Sequence, residues 1–137
     1  MTYAHNAGLK ALISVAEYDG AGFPSATGPT NRAVFINSLT NFMATQGYDG
    51  IDIDWEPLRT AEASQYTNFI EELRVALDAF NPPRLLTAAT ARQPEWFAVI
   101  QEDLDQINLM TYGLSGFSTV RGPGIGRLKL PGIFRPA

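Results

Sequence analysis

The eight residues from Asp49 to Glu56, Asp-Gly-Ile-Asp-Ile-Asp-Trp-Glu, end in three carboxylic acids at alternate positions. On a β-strand this spacing throws Asp52, Asp54 and Glu56 to one face and Ile51, Ile53 and Trp55 to the other. A buried carboxylate without partners is costly or holds its proton, so three on one face point to chemistry before packing. Residues i and i+2 of a strand are separated by roughly 6.6 Å along the chain, close enough for an ionised Asp54 to raise the proton affinity of Glu56. A carboxylic acid that keeps its proton beside an ionised one is the pairing that cleaves a glycosidic bond. The acid protonates the leaving oxygen while positive charge develops on the sugar. In this reading Asp52 completes a relay by sharing a proton with Asp54. The bland alternative is a solvated edge strand with alternating polar residues, and the opposite face of Ile51, Ile53 and Trp55 argues against it.

Such a strand has to be held in a sheet, and the flanking segments supply one. Lys10 to Val15 reads as a short buried strand, bounded by Gly8 and by the Gly- and Pro-containing stretch from Gly20 to Pro29. From Asn31 to Gln46 the apolar positions Phe35, Leu39, Phe42 and Met43 predict an amphipathic helix, with Thr30 as N-cap and Gly47 as its stop. After the acid-bearing strand, Thr60 caps a helix running to about Phe80. Glu62 sits in its first turn, and Tyr66, Phe69, Ile70, Leu73 and Leu77 form one apolar stripe. Asn81-Pro82-Pro83 ends it. Arg84 to Thr90 reads as a further strand, Pro94 opens a short helix through about Gln101, and Ile107 to Tyr112 is the last strand. Strands alternating with helices imply β-α-β units and a parallel sheet. Met1 to Asn6 resembles the tail of a preceding helix, and the Gly- and Pro-rich stretch from Gly113 to Ala137 carries no regular pattern.

The octapeptide resembles the signature of glycoside hydrolase family 18, the chitinase-like enzymes, Asp-Gly-x-Asp-x-Asp-x-Glu, and matches it at every fixed position. Pro57 after Glu56 fits the same pattern. Gln106 to Tyr112, Gln-Ile-Asn-Leu-Met-Thr-Tyr, is similar to the family's sixth barrel strand with its active-site Met and Tyr. The resemblance implies a (β/α)₈, or TIM, barrel, and with it that Glu56 is the proton donor, Asp54 orients the substrate's acetamido group and Asp52 partners Asp54. Tyr112 would hydrogen-bond the acetamido oxygen and Met110 would lie beside it as a substrate-binding residue. The nucleophile would be the substrate's own N-acetyl carbonyl, which makes a second enzyme carboxylate unnecessary and retains the anomeric configuration. Neither cofactor nor metal is called for. The implied partner is chitin or an N-acetylglucosamine oligosaccharide, and the implied location is extracellular, although no signal peptide is read in the sequence.

A complete barrel of this kind needs about 250 residues. With 137 residues the chain has room for about four βα units, the family's strands three to six. The expectation is therefore a partial barrel over residues 1–120, an irregular tail over 121–137, and a truncated fragment of a longer enzyme. Asp54, Glu56 and Tyr112 then fall at the carboxyl ends of their strands, where barrel enzymes build their sites, and the small Ala88 and Ala89 leave room there. Two departures stand out. Ser14-Val15-Ala16-Glu17 replaces the family's Ser-x-Gly-Gly, putting side chains where backbone would approach the substrate. Gly113 replaces an Asp that commonly follows the Met-x-Tyr. The Trp that floors the family's sugar site, at the end of the eighth strand, has no counterpart.

The remaining residues take ordinary readings. The composition is 45% hydrophobic with a net charge of −4, without the basic patch of a nucleic-acid binder. No apolar run reaches membrane-spanning length. The absence of cysteine excludes a disulfide framework and thiol catalysis. His5, the single histidine, lies in a helix tail and reads as structural. Tyr18 and Trp96 lie in or beside loops, where an aromatic face suits a pyranose ring or simply packs. Two readings compete with an active hydrolase: a carbohydrate-binding relative without turnover, against which the retained Glu56 argues, and an inactive fragment whose open sheet edges expose a barrel interior.

Overall fold

The computed structural model describes residues 2–90 and 94–110. In chain order these form α1 (Thr2–Asn6), β1 (Leu12–Glu17), α2 (Gly22–Ala26), α3 (Arg32–Gln46), β2 (Gly50–Trp55), α4 (Ala63–Asp78), β3 (Leu85–Thr90), α5 (Pro94–Val99) and β4 (Gln106–Leu109). The four strands are parallel and lie side by side in the order β1-β2-β3-β4. This is the arrangement expected of consecutive units of a (β/α)₈ barrel.

Alternation along the strands sorts the two faces. Ile51, Ile53, Trp55, Leu86 and Ala88 are buried in one core with Ile36 and Met43 of α3 and with Tyr66, Phe69, Ile70, Leu73 and Leu77 of α4. Each fully buried aliphatic side chain there contributes about 2 kcal/mol relative to exposure, so this face fixes the register of β2. Every position of the expected α4 stripe is buried. In α3 the buried line is Ile36, Thr40 and Met43, with Phe35 and Leu39 flanking it. Phe42 is half exposed and stacks on Tyr48 instead.

Helix ends differ in detail from the expectation. Asn31, not Thr30, occupies the N-cap position of α3, and its side chain reaches back to the Ser25 carbonyl in place of capping. The turn before it already satisfies the helix start, because the N–H groups of Asn31 and Arg32 both donate to the Gly28 carbonyl. Gly47 ends α3 with φ 76°, a left-handed conformation suited to glycine. Thr60–Glu62 forms a tight 3₁₀ turn ahead of α4, and Glu62 accepts the Arg59 N–H at 2.9 Å.

The rim at the amino ends of the strands is pinned by polar contacts. Asp49 accepts the Ala11 N–H at 2.8 Å, the His5 Nε2–H at 2.8 Å and Lys10 Nζ at 3.2 Å. Burial pushes its acidity the other way, but these donors prevail and hold the carboxyl at about 2 against an ordinary 3.8. His5 thus ties α1 to the sheet. Buried Arg74 of α4 reaches Asp105 at 3.1 Å and the Arg84 carbonyl at 2.6 Å, and Asp105 also accepts the Leu86 N–H.

Candidate active site

The face of the sheet turned away from the helices is polar. Asp52 and Asp54 project there from β2, level with Ser14 and Ala16 of β1. Thr87 of β3 is level with Asp52, and Asn108 of β4 is level with Ala89. Glu56 follows β2 directly, and its N–H donates to the Glu17 carbonyl at 3.0 Å, which continues the pairing past the end of the strand. Asp52 and Asp54 therefore share one face, and Glu56 follows them past the carboxyl end of β2.

Asp52 is held by a donor from each of the other strands. Its Oδ2 accepts Ser14 Oγ–H at 3.0 Å, and its Oδ1 accepts the Thr87 hydroxyl and Asn108 Nδ2 at 3.2 Å. Gln106 in turn donates to Asn108 Oδ1. Among the described residues no hydrogen bond joins Asp52 to Asp54. Asp54 Oδ2 accepts the Tyr18 hydroxyl at 3.3 Å, whereas its Oδ1 is buried with no hydrogen-bond partner among the described residues. The negative field of the two aspartates reaches the helix side: burial first, then Asp52 and Asp54, raise the Tyr66 phenol well above the ordinary range.

Past the carboxyl end of β2 opens a cleft of about 760 Å³, lined by Glu56 with Tyr18, Trp55, Arg59, Ala89 and Phe97 among others. Of the two small residues expected to leave room, only Ala89 lines it. Ala88 lies level with Ile53 and is fully buried under the helices. The departure at Ala16-Glu17 also resolves unevenly. Ala16 faces the site, but Glu17 is level with Trp55 on the opposite face, where its carboxylate accepts the N–H groups of Gly22 and Phe23. That contact starts α2 and seats Phe23 against Trp55, ring centroids 4.8 Å apart and nearly coplanar. Met110 continues the pairing of β4 through its N–H to the Thr90 carbonyl at 2.8 Å. Tyr112 and Gly113 lie outside the described residues. Trp96 is half buried and packs against the core. Among the described residues no group of three or more His, Asp or Glu side chains is arranged to hold a metal ion, and no helix is long and apolar enough to cross a membrane.

Ser14, Thr87 and Asn108 are the contacts that reading β2 by itself misses. The available signal is parity: in parallel strands residues brought level share a face, so short hydroxyl and amide side chains in phase with Asp52 are its natural donors.

The comparisons with known proteins agree with this fold. The chain belongs to glycosyl hydrolases family 18, whose family model matches residues 1–124. A class V chitinase of Medicago truncatula, CHIT5b, is 35% identical over 128 residues, 81% of this chain and 32% of the relative. Among solved structures, chitinase ChiW of Paenibacillus sp. FPU-7, described as a cell-surface-expressed multi-modular enzyme, superposes with a TM-score of 0.71 at 34% identity. The match covers 81% of this chain and 15% of that one. Human YKL-39, described as a pseudo-chitinase with retained chitooligosaccharide binding, gives a TM-score of 0.66 at 30% identity over 77% of this chain and 33% of its own. The chain thus spans about a third or less of the length of these relatives. Its described elements are four strands and intervening helices of a chitinase-type barrel.

Proposed function

We propose that the chain carries the acid-bearing part of a chitinase-type glycoside hydrolase acting on β-1,4-linked N-acetylglucosamine polymers with retention of configuration. Glu56 is the proton donor to the leaving oxygen. Asp54 holds the substrate's acetamido group so that its carbonyl oxygen attacks the anomeric carbon, and Asp52 partners Asp54 from one pleat below. Tyr112 and Met110 contribute to sugar binding. The observation that carries this reading is that Asp52 and Asp54 share one face of β2 and Glu56 directly follows it at a cleft that it lines. Residues 1–120 form part of the catalytic barrel, the family likeness favours a location outside the cell, and the expected tail over 121–137 lies outside the described residues.

Hydrolysis of an N-acetylglucosamine oligomer by the chain, set against Glu56→Gln, tests this. Removing a general acid lowers the rate by about a hundredfold or more. Equal rates for the two forms would sink the assignment. The pseudo-chitinase among the similar structures favours a second reading, binding without turnover. Binding of the oligomer with no released product from either form would establish it.

A further inference from the structure

Tyr18 directly follows β1, is 72% exposed as a residue, and lines the cleft together with Glu56. Its phenol is the hydrogen-bond donor to Asp54 Oδ2, at 3.3 Å, while Oδ1 of the same carboxylate is buried without a partner among the described residues. A carboxylate with one oxygen unsatisfied depends on the donor that reaches the other, because an anionic oxygen buried without a hydrogen bond is costly. The exposed phenol, by contrast, loses little on release, since water takes over its bond. A ligand N–H that reaches Asp54 therefore competes with Tyr18 for one acceptor.

We propose that Tyr18 is a positioning residue that occupies Asp54 Oδ2 in the sugar-free chain and yields it to the acetamido N–H of an entering sugar. This rests on the chitinase-type reading of Asp54. The phenol sets the orientation of the carboxylate before substrate arrives, and its displacement is part of the free-energy cost of binding. Removing the hydroxyl while keeping the ring relieves that competition and leaves the aromatic surface in place.

Calorimetric binding of an N-acetylglucosamine tetramer to the chain, with Glu56→Gln present throughout to prevent turnover, provides the test. Tyr18→Phe is expected to tighten binding by about twofold to tenfold, the worth of one net hydrogen bond. In an Asp54→Ala background the same change is expected to give no gain, because the competition needs both partners. The Tyr18 ring resonance should also shift toward that of a solvated phenol on adding the tetramer. Equal or weaker binding by Tyr18→Phe, or a gain that persists without Asp54, overturns the assignment of Tyr18 alone. Absence of tetramer binding by any form overturns the chitinase-type reading and the assignment with it.

Discussion

Asp52 shows how a single carboxylate can serve as a structural knot. Its donors Ser14, Thr87 and Asn108 come from β1, β3 and β4, so all four strands meet at one side chain. Thr87→Val keeps the shape of the side chain but removes one donor to an anion, a loss of about 1.5–3 kcal/mol. Urea denaturation should show the midpoint lowered with the slope unchanged, since the surface exposed on unfolding stays the same. Asp52 and Asp54 on one face were legible from alternation alone, because strand parity needs no partner. Their neighbours were not, because which residue of one strand lies level with Asp52 depends on pairing that no single strand encodes. Tyr18 illustrates the same gap. Tyr18 leaves the strand, where parity no longer fixes direction. Glu17 sits at a position that promised a side chain near the substrate, yet parity alone, applied one residue further from Ala16, places it on the far face with Trp55.

Among the elements, β2 is the most constrained, and its first residue shows why. Gly50 pairs with Leu85 of β3, and a Cβ at Gly50 would stand 2.3 Å from the Leu85 carbonyl oxygen. Backbone cannot retreat as a flexible side-chain tip can, so the glycine in Asp-Gly is required by strand approach. Gly50→Ala is expected to destabilise the fold by about 3 kcal/mol through overpacking between β2 and β3. A lowered thermal midpoint with reduced near-UV signal from Trp55 checks it, and an unchanged midpoint would refute the steric account. α4 was readable because its apolar positions recur at helical spacing and all face one partner. α3 was readable only in outline. It packs beside α4 over a shared core, where Ile36 is buried and Phe42 turns to Tyr48. α2 left no periodic trace, since its five residues are started by a carboxylate from β1.

On the scale of the molecule, the chain separates the candidate site from its anchorage along the strand axis. The carboxyl ends of the strands carry Asp54, Glu56 and the cleft, whereas the amino ends carry the contacts that hold helices to sheet: Arg74 to Asp105, and His5, Lys10 and the Ala11 N–H to Asp49. The first Asp of the octapeptide therefore belongs to the anchoring end, although only four residues separate it from Asp54 and the site. Its carboxyl lies at about 2 in the folded chain against 3.8 ordinarily, the donors outweighing burial. A carboxyl depressed by folding stabilises fully above its unfolded value and loses that contribution as the pH falls through its folded value. The stability that Asp49 supplies is therefore present above about pH 4 and disappears progressively toward pH 2. Asp49→Asn removes the ionisable partner and with it the dependence. In paired urea titrations the two forms should differ by a steady amount near pH 5 and converge as the pH is lowered to 2, while the residues of the candidate site remain untouched. A difference that persists undiminished at pH 2 would show that Asp49 acts through shape and neutral hydrogen bonding, and that the charge at the anchoring rim contributes nothing.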